Sequence, residues 1–415
     1  MTTSPRTTTT PVQAGERELD LVEAWSRGQD AAAEAGLAAR LSDRGDAWRC
    51  DLLRTDGSRP PGATGSGKGD PAAARVGALF EALEHYHSHA ARVRPEDLVR
   101  HRAGDLAAGE LADEPGVPLL ARSPAAGVAC RRHTALCGTG TLDVPLLLTC
   151  PSYVSSAEGA RLRGLAGDTF AYASASRYSN NSGTASGAST TEAVVHALAE
   201  TVERDAFSLL LVDTFLAASP ARLRLVDPGT LPDALAALLG YAERRVGRRV
   251  RLIEMTTDLR VPAYCAHAAP DGGFRFQGYG ASLSAAHAVR RALRELLQIS
   301  APAERALWVP RDFGALRRRP RLLAAGRADF GPHLAGAVEV PFRETAAPAT
   351  ARGHLDDLVA MLGARGFRPF ACVLHRASNG VSTVSTYTPG LERFLVVTGG
   401  NAVVPGPRGR AVRGG

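Results

Sequence analysis

The chain has 415 residues, of which 45% are hydrophobic and 22% charged, and its formal net charge is +7. This length allows one large core or two to three smaller ones, with the composition of an ordinary globular protein. Aromatic residues make up 6% and do not interleave with the arginine clusters, which argues against nucleic acid as a partner. No apolar run is long enough to span a membrane, and the Thr-rich N-terminus lacks the apolar core of a secretory signal.

The cysteines and the basic runs point to no special chemistry. The six cysteines form no C-x-x-C pair and are scattered along the chain, which indicates reduced thiols in a cytoplasmic protein. Cys130, His133 and Cys137 are neighbours in the sequence, but their spacing fits no common zinc motif, so a local cluster is preferred. The arginine runs at 317–319 and 408–413 are interpreted as solvated surfaces, with a docking surface as the alternative.

The N-terminal part of the chain alternates helical stretches with a glycine-rich loop. Residues 1–15 are predicted to be disordered because Thr, Ser and Pro dominate them. The elements that follow are a helical N-terminal element over 16–45 with a helix at 16–41, a strand at 48–54, a loop at 58–70, and a helix at 71–89 capped by Asp70.

The rest of the chain alternates strands and helices only loosely, which favours an α/β or mixed α+β fold in one large domain over 46–407. In chain order, the predicted elements are strands within 116–153 (clearest at 145–150), a polar segment at 174–191, a helix to residue 211, paired strands at 249–255 and 261–267, helices at 284–298 and 353–366, and a strand at 394–398. Residues 408–415 are predicted to be a flexible basic tail.

Three of the predicted helices each carry a row of ionisable or amide side chains on one face. Side chains three or four residues apart lie side by side on a helix. The rows are Glu81 and Glu84; Glu192, His196, Glu200 and Glu203; and Arg291, Glu295 and Gln298. Because clustered carboxylates repel one another, a fold that gathers these rows needs a cation, most often magnesium carrying nucleotide phosphates. The alternative is that each row is a solvated helix face.

Glycine-rich stretches precede the first two of these helices. The sequence GSGKG at 65–69 includes Lys68, and SGTASG occupies 182–187. The backbone N–H groups of such loops, together with a lysine, can approach phosphate oxygens at a helix start. The first stretch lacks the spacing and the Ser/Thr of a Walker A motif. Both stretches are predicted to be loops beside the acidic rows, and GSGKG by itself is only weak evidence of a phosphate site.

Four segments, in the same order, resemble the YcaO family. They are GSGKGDPAAARVGALFEALEHY at 65–86, NNSGTASGASTTEAVVHALAETVERDAFS at 180–208, GYGASLSAAHAVRRALRELLQ at 278–298, and TPGLE at 388–392, within a likeness that covers about 62–407. The resemblance implies a YcaO-type ATP-binding fold with mixed sheets and packed helices, and ATP and Mg²⁺ as cofactors. It also implies activation of peptide backbone amides, in which a nucleophile adds to the amide carbon and ATP phosphorylates the amide oxygen.

The resemblance further implies roles for individual residues. The implied metal ligands are Glu81, Glu84, Glu200, Glu203 and Glu295; the implied nucleotide contacts are these five with Lys68, Glu192, His196, Arg204, Arg291 and Gln298; the implied catalytic residues are Glu200, Glu203 and Arg204. For His196 a structural role is an equal alternative. Gly77, His85 and Ala188 replace the Ser, Arg and Asn that are common in the family, so one phosphate or adenosine contact is expected to be missing or replaced.

The expected function is ATP-dependent cyclodehydration of Cys, Ser or Thr in a ribosomally made precursor peptide to azolines. The alternatives are thioamide formation with a sulfur-delivering partner, amidine formation, and a non-catalytic scaffold that binds a peptide or a partner enzyme. Because no separate leader-binding domain is evident, a leader-binding E1-like partner is expected, and a homodimer is plausible by resemblance. Pro405 and Pro407 match the family's proline-rich tail only in part, which puts direct catalysis by the C-terminus in doubt.

Overall fold

The computed structural model describes residues 15–306 and 309–414. The disorder predicted for residues 1–15 therefore lies outside the described residues, apart from Gly15. The strands within the described residues are β1 Ala38–Asp43, β2 Ala47–Leu53, β3 Thr64–Lys68, β4 Leu98–Arg102, β5 Gly127–Ala135, β6 Thr141–Pro145, β7 Thr184–Gly187, β8 Arg224–Val226, β9 Val250–Glu254, β10 Ala263–Asp271, β11 Phe274–Ala281, β12 Val338–Val340, β13 Phe370–Arg376 and β14 Ser382–Tyr387.

These strands form three sheets. Their orders are β1-β2-β3, β11-β10-β9-β8-β12, and β4-β5-β13-β14-β7 with β6 also paired to β5. Neighbouring strands are antiparallel except for the parallel pair β8 and β12. The α-helices are α1 Leu21–Glu34, α2 Pro71–Ser88, α3 Ala103–Ala108, α4 Leu146–Thr149, α5 Pro151–Ser155, α6 Ala157–Leu165, α7 Thr190–Leu216, α8 Asp233–Val246, α9 Ala285–Ser300, α10 Pro302–Arg305, α11 Pro320–Arg327, α12 Ala351–Gly363 and α13 Pro407–Gly414. The predicted mixture of helices and mixed sheets is confirmed.

Glycines let three helices lie directly against strands. A Cβ atom on Gly67 in β3 would lie 1.7 Å from the carbonyl oxygen of Ala74 in α2, and one on Gly280 in β11 would lie 2.1 Å from that of Ala288 in α9. A Cβ on Gly187 in β7 would lie 2.5 Å from a backbone nitrogen of α7. Only glycine permits backbones to approach this closely. The prediction that 65–69 and 182–187 are loops was wrong, because most of each stretch is a strand packed on a helix.

Helix α7 runs through the centre of the molecule and is 27 residues long. The cap is Ser189, whose hydroxyl accepts a hydrogen bond of 3.1 Å from the Glu192 N–H. The N-terminal half packs Val195 and Leu198 against β14 and α12, and the C-terminal half packs Phe207 and Leu211 into a second apolar cluster with α11. The helix therefore continues past residue 211, where the sequence predicted its end, because the apolar residues to Leu216 are also buried.

Three predicted elements have the wrong type. Helix α1 ends at Glu34, because Gly36 adopts a positive φ of 72°, and residues 38–43 form a strand that pairs with β2. The apolar run 145–150 is mostly the buried helix α4, and 394–398 lies in a 3-10 helix, Phe394–Gly399. Short buried apolar runs cannot be assigned to strand or helix from periodicity alone.

Two further predictions concern the chain end and the membrane. The basic tail was predicted to be flexible from residue 408, but the structure places 407–414 in α13, and Arg408 forms ion pairs with Asp205 and Asp258. The tail prediction was wrong because the partners of Arg408 are far away in the sequence. Among the helices of the described residues, none is long and apolar enough to cross a membrane.

Candidate nucleotide and metal site

Five carboxylates that the sequence singled out lie close together where α2, α7 and α9 meet. We call Glu81, Glu84, Glu200, Glu203 and Glu295 the acidic cluster. The ammonium nitrogen of Lys68, at the end of β3, lies 2.6 Å from Oε2 of Glu295, and Arg204 Nε lies 3.4 Å from Oε1 of Glu200. Three segments that are distant in the sequence thus share one site, as their side-chain spacing led us to expect.

The edge strand β3 borders this site and links two of its helices. The Ser66 N–H donates a hydrogen bond of 3.2 Å to Oε2 of Glu81. The Ser66 carbonyl accepts one of 3.2 Å from Nε2 of Gln298, a residue of α9. Because β3 is the last strand of its sheet, these backbone groups have no strand partner and face the helices instead. The strand therefore positions Glu81, Gln298 and Lys68 at the same time.

The electrostatic environment holds four of the five carboxyls against ionisation. Burial raises the pKa of Glu81, Glu84, Glu200 and Glu203 above the usual value of a glutamate. The neighbouring Glu200 and Glu81 raise the pKa of Glu84 further. Burial also acts to raise the pKa of Glu295, but Lys68 and Arg204 outweigh it, so that pKa lies below the usual value. Lys68 and Arg204, with Arg291 acting on Glu200, Glu203 and Glu295, thus compensate only part of the negative charge.

One oxygen of the cluster has no protein partner. Oε2 of Glu203 is buried, and no donor among the described residues bonds to it. A buried carboxylate oxygen without a donor is costly, so it calls for a proton or a bound cation. In the described parts of the chain, no three His, Cys, Asp or Glu side chains are arranged to hold one metal ion. Magnesium usually takes one or two carboxylates together with phosphate oxygens and water, so this oxygen-only set fits Mg²⁺ carried with a nucleotide.

The row of side chains on α7 begins at Glu192, at the end of the row opposite Glu203. Glu192 lies about 16 Å from Glu203 along the helix, because eleven residues separate them at a rise of about 1.5 Å each. Here the charges are paired. Arg17 Nη1 donates a hydrogen bond to Oε1 of Glu192, and the Glu18 N–H donates one of 3.3 Å to Oε2. Arg291 Nη1 lies 3.2 Å from Nδ1 of His196. Burial, and next the charge of Arg291, lower the pKa of His196 well below its usual value, so a neutral ring accepts from the guanidinium.

The sequence reasoning missed Glu16 and Arg17, which reach this end of the site from the N-terminus. Glu16 is 8% exposed and accepts a hydrogen bond from the Ser282 hydroxyl. Its Oε2 also lies 3.4 Å from Nε2 of His287 in α9. No local pattern marks these residues, because their partners lie more than 170 positions away in the sequence.

The three positions that depart from the family pattern have clear structural surroundings. His85 Nδ1 lies 2.7 Å from the Thr64 carbonyl oxygen, so this nitrogen carries the proton and donates. Nε2 then faces Glu81, 3.8 Å from its Oε1. His85 therefore still offers a nitrogen to the acidic cluster. A Cβ atom on Gly77 would meet only the Cα of Gly67, at 3.6 Å. Ala188 is buried in the core beside α2.

A pocket of about 590 Å³ opens next to the acidic cluster. Its lining includes the half-buried Glu295, Tyr279 and Arg275 and the exposed Arg311 and Arg327. The Tyr279 hydroxyl donates a hydrogen bond of 2.9 Å to Oε1 of Gln277, which fixes the ring in the lining. The pocket is therefore large enough for several side chains of a ligand and mainly cationic at its mouth.

Two curated proteins resemble parts of the chain. One, from Rhizobium leguminosarum bv. trifolii, is named "Uncharacterized protein in tfuA 3'region" and is 38% identical over 89 residues, which are 21% of this chain and 20% of that protein. The other, an uncharacterized protein of Methanothermobacter thermautotrophicus, is 29% identical over 225 residues, or 52% of this chain and 57% of that protein. The chain thus matches a fifth and little more than half of these relatives' own lengths.

Solved structures with the same fold cover most of the chain. YcaO from Methanopyrus kandleri, bound with AMPPCP and Mg²⁺, matches with a TM-score of 0.61 and 21% identity over 93% of this chain and 95% of that chain. A heterocyclase in complex with substrate and cofactor matches with a TM-score of 0.63 and 16% identity over 93% of this chain and 55% of that chain. The E. coli microcin synthetase McbBCD complex matches with a TM-score of 0.55 and 12% identity, covering 86% and 88%. At these identities the likeness shows the fold.

The family comparison covers most of the sequence. The profile described as YcaO cyclodehydratase, ATP- and Mg²⁺-binding, matches residues 66–392, which is more than half of the chain and contains all eleven residues named above as candidate nucleotide contacts. Family and fold agree over the same region, since the YcaO structure from M. kandleri aligns with nearly the whole chain. The chain is a member of the YcaO family, an ATP-dependent enzyme family that binds ATP and Mg²⁺.

Proposed function

We propose that the chain uses ATP and Mg²⁺ to activate backbone amides in a ribosomally made precursor peptide, converting Cys, Ser or Thr residues to azolines. The observation that carries this proposal is the acidic cluster, in which the buried Glu203 oxygen lacks a donor. Carboxylates raised in pKa by burial and by one another are suited to binding cations, and the two companions Lys68 and Arg204 are suited to phosphate.

The residues would divide the work as follows. Glu81, Glu84, Glu200, Glu203 and Glu295 would hold Mg²⁺, which would neutralise the charge of the triphosphate. ATP would supply the phosphoryl group that is transferred. Lys68 and Arg204 lie among these carboxylates and would balance phosphate charge during transfer. Glu192, His196, Arg291 and Gln298 would position the rest of the nucleotide. They lie on α7 and α9, which meet where Arg291 contacts His196, and we call this boundary between the two helices the trough.

The peptide would enter through the pocket beside Glu295. The pocket opens directly onto the acidic cluster, so an amide lodged against Tyr279 would be close to a phosphate held there. Arg275 Nη2 and Arg311 Nη1 both donate to the Thr398 carbonyl oxygen, at 3.4 and 3.2 Å, so two guanidinium groups lie side by side at the mouth. This positive charge favours acidic residues next to the modified position.

The nature of the product depends on the nucleophile. Azoline formation is preferred because of the partial proline match at Pro405 and Pro407, and thioamide formation with a sulfur-delivering partner is the second candidate. The Rhizobium relative is named for a tfuA 3' region, so the product of such a neighbouring gene is a partner to test beside an E1-like leader-binding protein.

The decisive experiment combines the chain with the co-encoded precursor peptide, each candidate partner, ATP and Mg²⁺, and follows the peptide by mass spectrometry. Loss of one water per site supports azolines, and exchange of one oxygen for sulfur supports a thioamide. Omission of Mg²⁺ or ATP is the control. If the peptide stays unmodified and Mg²⁺-ATP gives no thermal stabilisation, the chain is a scaffold; saturation to about 100 times Kd would add about 2.7 kcal/mol of stability.

A further inference from the structure

We infer that residues 16–18, which we call the N-terminal strap, form part of the nucleotide site and close it at the Glu192 end. The inference rests on the proposed function, and it adds two residues, Glu16 and Arg17, that the family profile leaves out because its match begins at residue 66. The strap lies between the N-terminus and α1 and reaches both α7 and the start of α9.

Arg17 fixes the carboxylate of Glu192. Both oxygens of Glu192 are held from the strap, one by the Arg17 guanidinium and one by the Glu18 N–H at 3.3 Å. The Glu192 side chain is 5% exposed, whereas that of Arg17 is 39% exposed. Two donors from one segment fix the orientation of the buried carboxylate. Without Arg17, the Glu192 carboxylate would keep the Glu18 N–H as its donor from the strap and would lose its charged partner.

Glu16 acts on the opposite wall of the trough. The carboxylate accepts a hydrogen bond from the Ser282 hydroxyl, and its Oε2 lies 3.4 Å from Nε2 of His287. It is also near enough to Arg291 for the two opposite charges to attract each other. Burial alone would raise the pKa of Glu16, but His287 and Arg291 lower it below the usual value, so Glu16 is an anion. That anion attracts the Arg291 guanidinium, whose Nη1 lies 3.2 Å from Nδ1 of His196.

The strap therefore contacts or acts on one side chain of each helix, Glu192 on α7 and Arg291 on α9. Glu16 and Arg17 are positioning residues, since each acts through another side chain. Glu200, the nearest carboxylate of the acidic cluster on α7, lies about 12 Å along the helix from Glu192. Loss of the strap contacts is therefore expected to weaken nucleotide binding while leaving the transfer step itself largely intact.

The first test uses the full chain with Arg17→Ala and Glu16→Gln, and measures the Kd of Mg²⁺-AMPPNP by calorimetry and the split between KM for ATP and kcat. We expect Kd and KM to rise about tenfold, equivalent to about 1.4 kcal/mol, with kcat within about twofold. Glu23→Gln is the matched control, because it makes the same change at an exposed side chain of α1 that lies outside the strap. Arg17→Lys should restore most of the affinity.

The outcomes distinguish a failure of the strap inference from a failure of the proposed function. If the wild-type chain binds Mg²⁺-AMPPNP and both strap variants bind it equally well, the strap inference is overturned and the proposed function stands. If the wild-type chain does not bind the nucleotide, the proposed function fails and the strap inference fails with it. A fall in thermal stability with unchanged Kd would show a purely structural strap and would overturn the inference too.

A second measurement needs no variant. Trypsin cleaves after arginine, and the exposed part of Arg17 allows slow cleavage of the bond to Glu18. Mg²⁺-AMPPNP should slow cleavage at this bond several-fold, as followed by mass spectrometry of the intact chain. Cleavage after Arg413, which is exposed on α13, is the internal control and should not change. Equal rates at Arg17 with and without nucleotide would contradict closure by the strap.

Discussion

Two groups of carboxylates lie on opposite sides of α7, one half-buried around the buried Glu203 and one fully buried. In the part of the chain that the structure describes, only the second has a donor for every carboxylate oxygen. The acidic cluster has five carboxylates, the cations Lys68 and Arg204, and an oxygen of Glu203 that lacks a donor. The second group, which we call the C-terminal network, contains Glu114, Asp205 and Glu392 with the cations Arg393 and Arg408. Glu203 is as deeply buried as Glu114, Asp205 and Glu392, so burial alone does not distinguish a binding site from a structural one.

The C-terminal network gives each carboxylate several donors. Asp205 accepts hydrogen bonds from the Glu392 N–H at 2.8 Å and from Arg408 Nε at 2.9 Å. Glu392 accepts from the N–H groups of Gly406 and Gly409, at 3.0 and 2.8 Å. Glu114 accepts from the Tyr387 hydroxyl at 2.6 Å and from Arg393 at 2.8 Å. The network thereby fastens the chain end to the helix that carries the site.

The difference in hydrogen-bond donors distinguishes a ligand-binding site from a structural network in this fold. Where every carboxylate oxygen has a protein donor, the group can be explained by stability alone. Where like charges are gathered and donors are missing, the folded chain is incomplete, and a ligand has to supply the positive charge. The two groups should therefore respond to mutation in opposite directions, which the following experiments test.

The largest effect is expected from Glu203→Gln. The change removes one negative charge from the acidic cluster, so ATP hydrolysis should fall by about 10³-fold if Glu203 helps to hold Mg²⁺ against the phosphates. The free energy of unfolding without nucleotide should stay the same or rise, because a buried charge without a partner is lost. ATPase assays and urea unfolding measure the two quantities.

Glu23→Gln is the control for this change, because Glu23 is an exposed residue of α1 paired only with Arg27. It should leave both hydrolysis and stability close to wild type. Full residual hydrolysis in Glu203→Gln would count against the site described here, and a large loss of stability would place Glu203 with the structural carboxylates.

The next largest effect is expected from Arg408→Ala. Asp205 is fully buried, and burial raises its pKa to about 6, so it is still mostly ionised at pH 7.5 and would lose its charged partner. Breaking a buried pair in this way should lower the free energy of unfolding by about 3 kcal/mol. The second change Asp205→Asn should recover part of that loss, and Arg413→Ala should change nothing. If Arg408→Ala is as stable as wild type, the tail is dispensable and the contrast between the two groups disappears.

The sequence predicted the acidic cluster but not the C-terminal network. The reason is the distance along the sequence between the residues that interact. Glu81 with Glu84, and Glu200 with Glu203, are neighbours on one helix, so helical spacing alone places them on one face. Arg408 and Asp205 are 203 positions apart, and Arg17 and Glu192 are 175 apart. Such pairs depend on the complete packing of the chain, and a basic tail or a polar N-terminus contains no local sign of them.

The glycines of β3 are a second case in which a local sequence pattern does not show which groups come into contact. In sequence, GSGKG is typical of a phosphate loop, whereas in the structure Gly65 and Gly67 remove side chains between β3 and α2. A local pattern indicated correctly that glycine was needed there. It could not show that a helix, and not a phosphate, makes the close approach.

A pair of glycine substitutions tests this packing role. Gly67→Ala would place a Cβ atom 1.7 Å from a backbone oxygen of α2, so the free energy of unfolding should fall by about 1–3 kcal/mol, and nucleotide binding with it, as β3 moves away from Glu81. Gly77→Ala is the matched control in the facing helix, where space is available. It should raise stability by up to about 1 kcal/mol through helix propensity. If Gly67→Ala is tolerated while nucleotide binding is lost, Gly67 belongs to a phosphate site after all.

At neutral pH the smallest effect is expected from His87, a buried ionisable group that differs from both carboxylate groups because it is kept neutral. The His87 ring stacks on His375 with centroids 3.8 Å apart, and burial, followed by His375 and Arg92, lowers the pKa of His87 to about 3. An unfolded histidine has a pKa of about 6.5. Between these two pKa values the unfolded chain binds a proton at His87 and the folded chain does not. The free energy of unfolding therefore falls as the pH drops from about 6.5 towards 3, by up to about 1.4 kcal/mol per pH unit.

His87→Phe keeps the ring stack and removes this proton uptake, so stability should depend less on pH between 4 and 6 than in the wild type. Urea unfolding across that range measures the slope. His87 lies outside the acidic cluster, and the charged groups that influence it are His375 and Arg92. The difference in slope between variant and wild type should therefore be the same with and without Mg²⁺-AMPPNP. If nucleotide abolishes that difference, His87 is coupled to the site, and the division of the buried charges into separate groups would have to be abandoned.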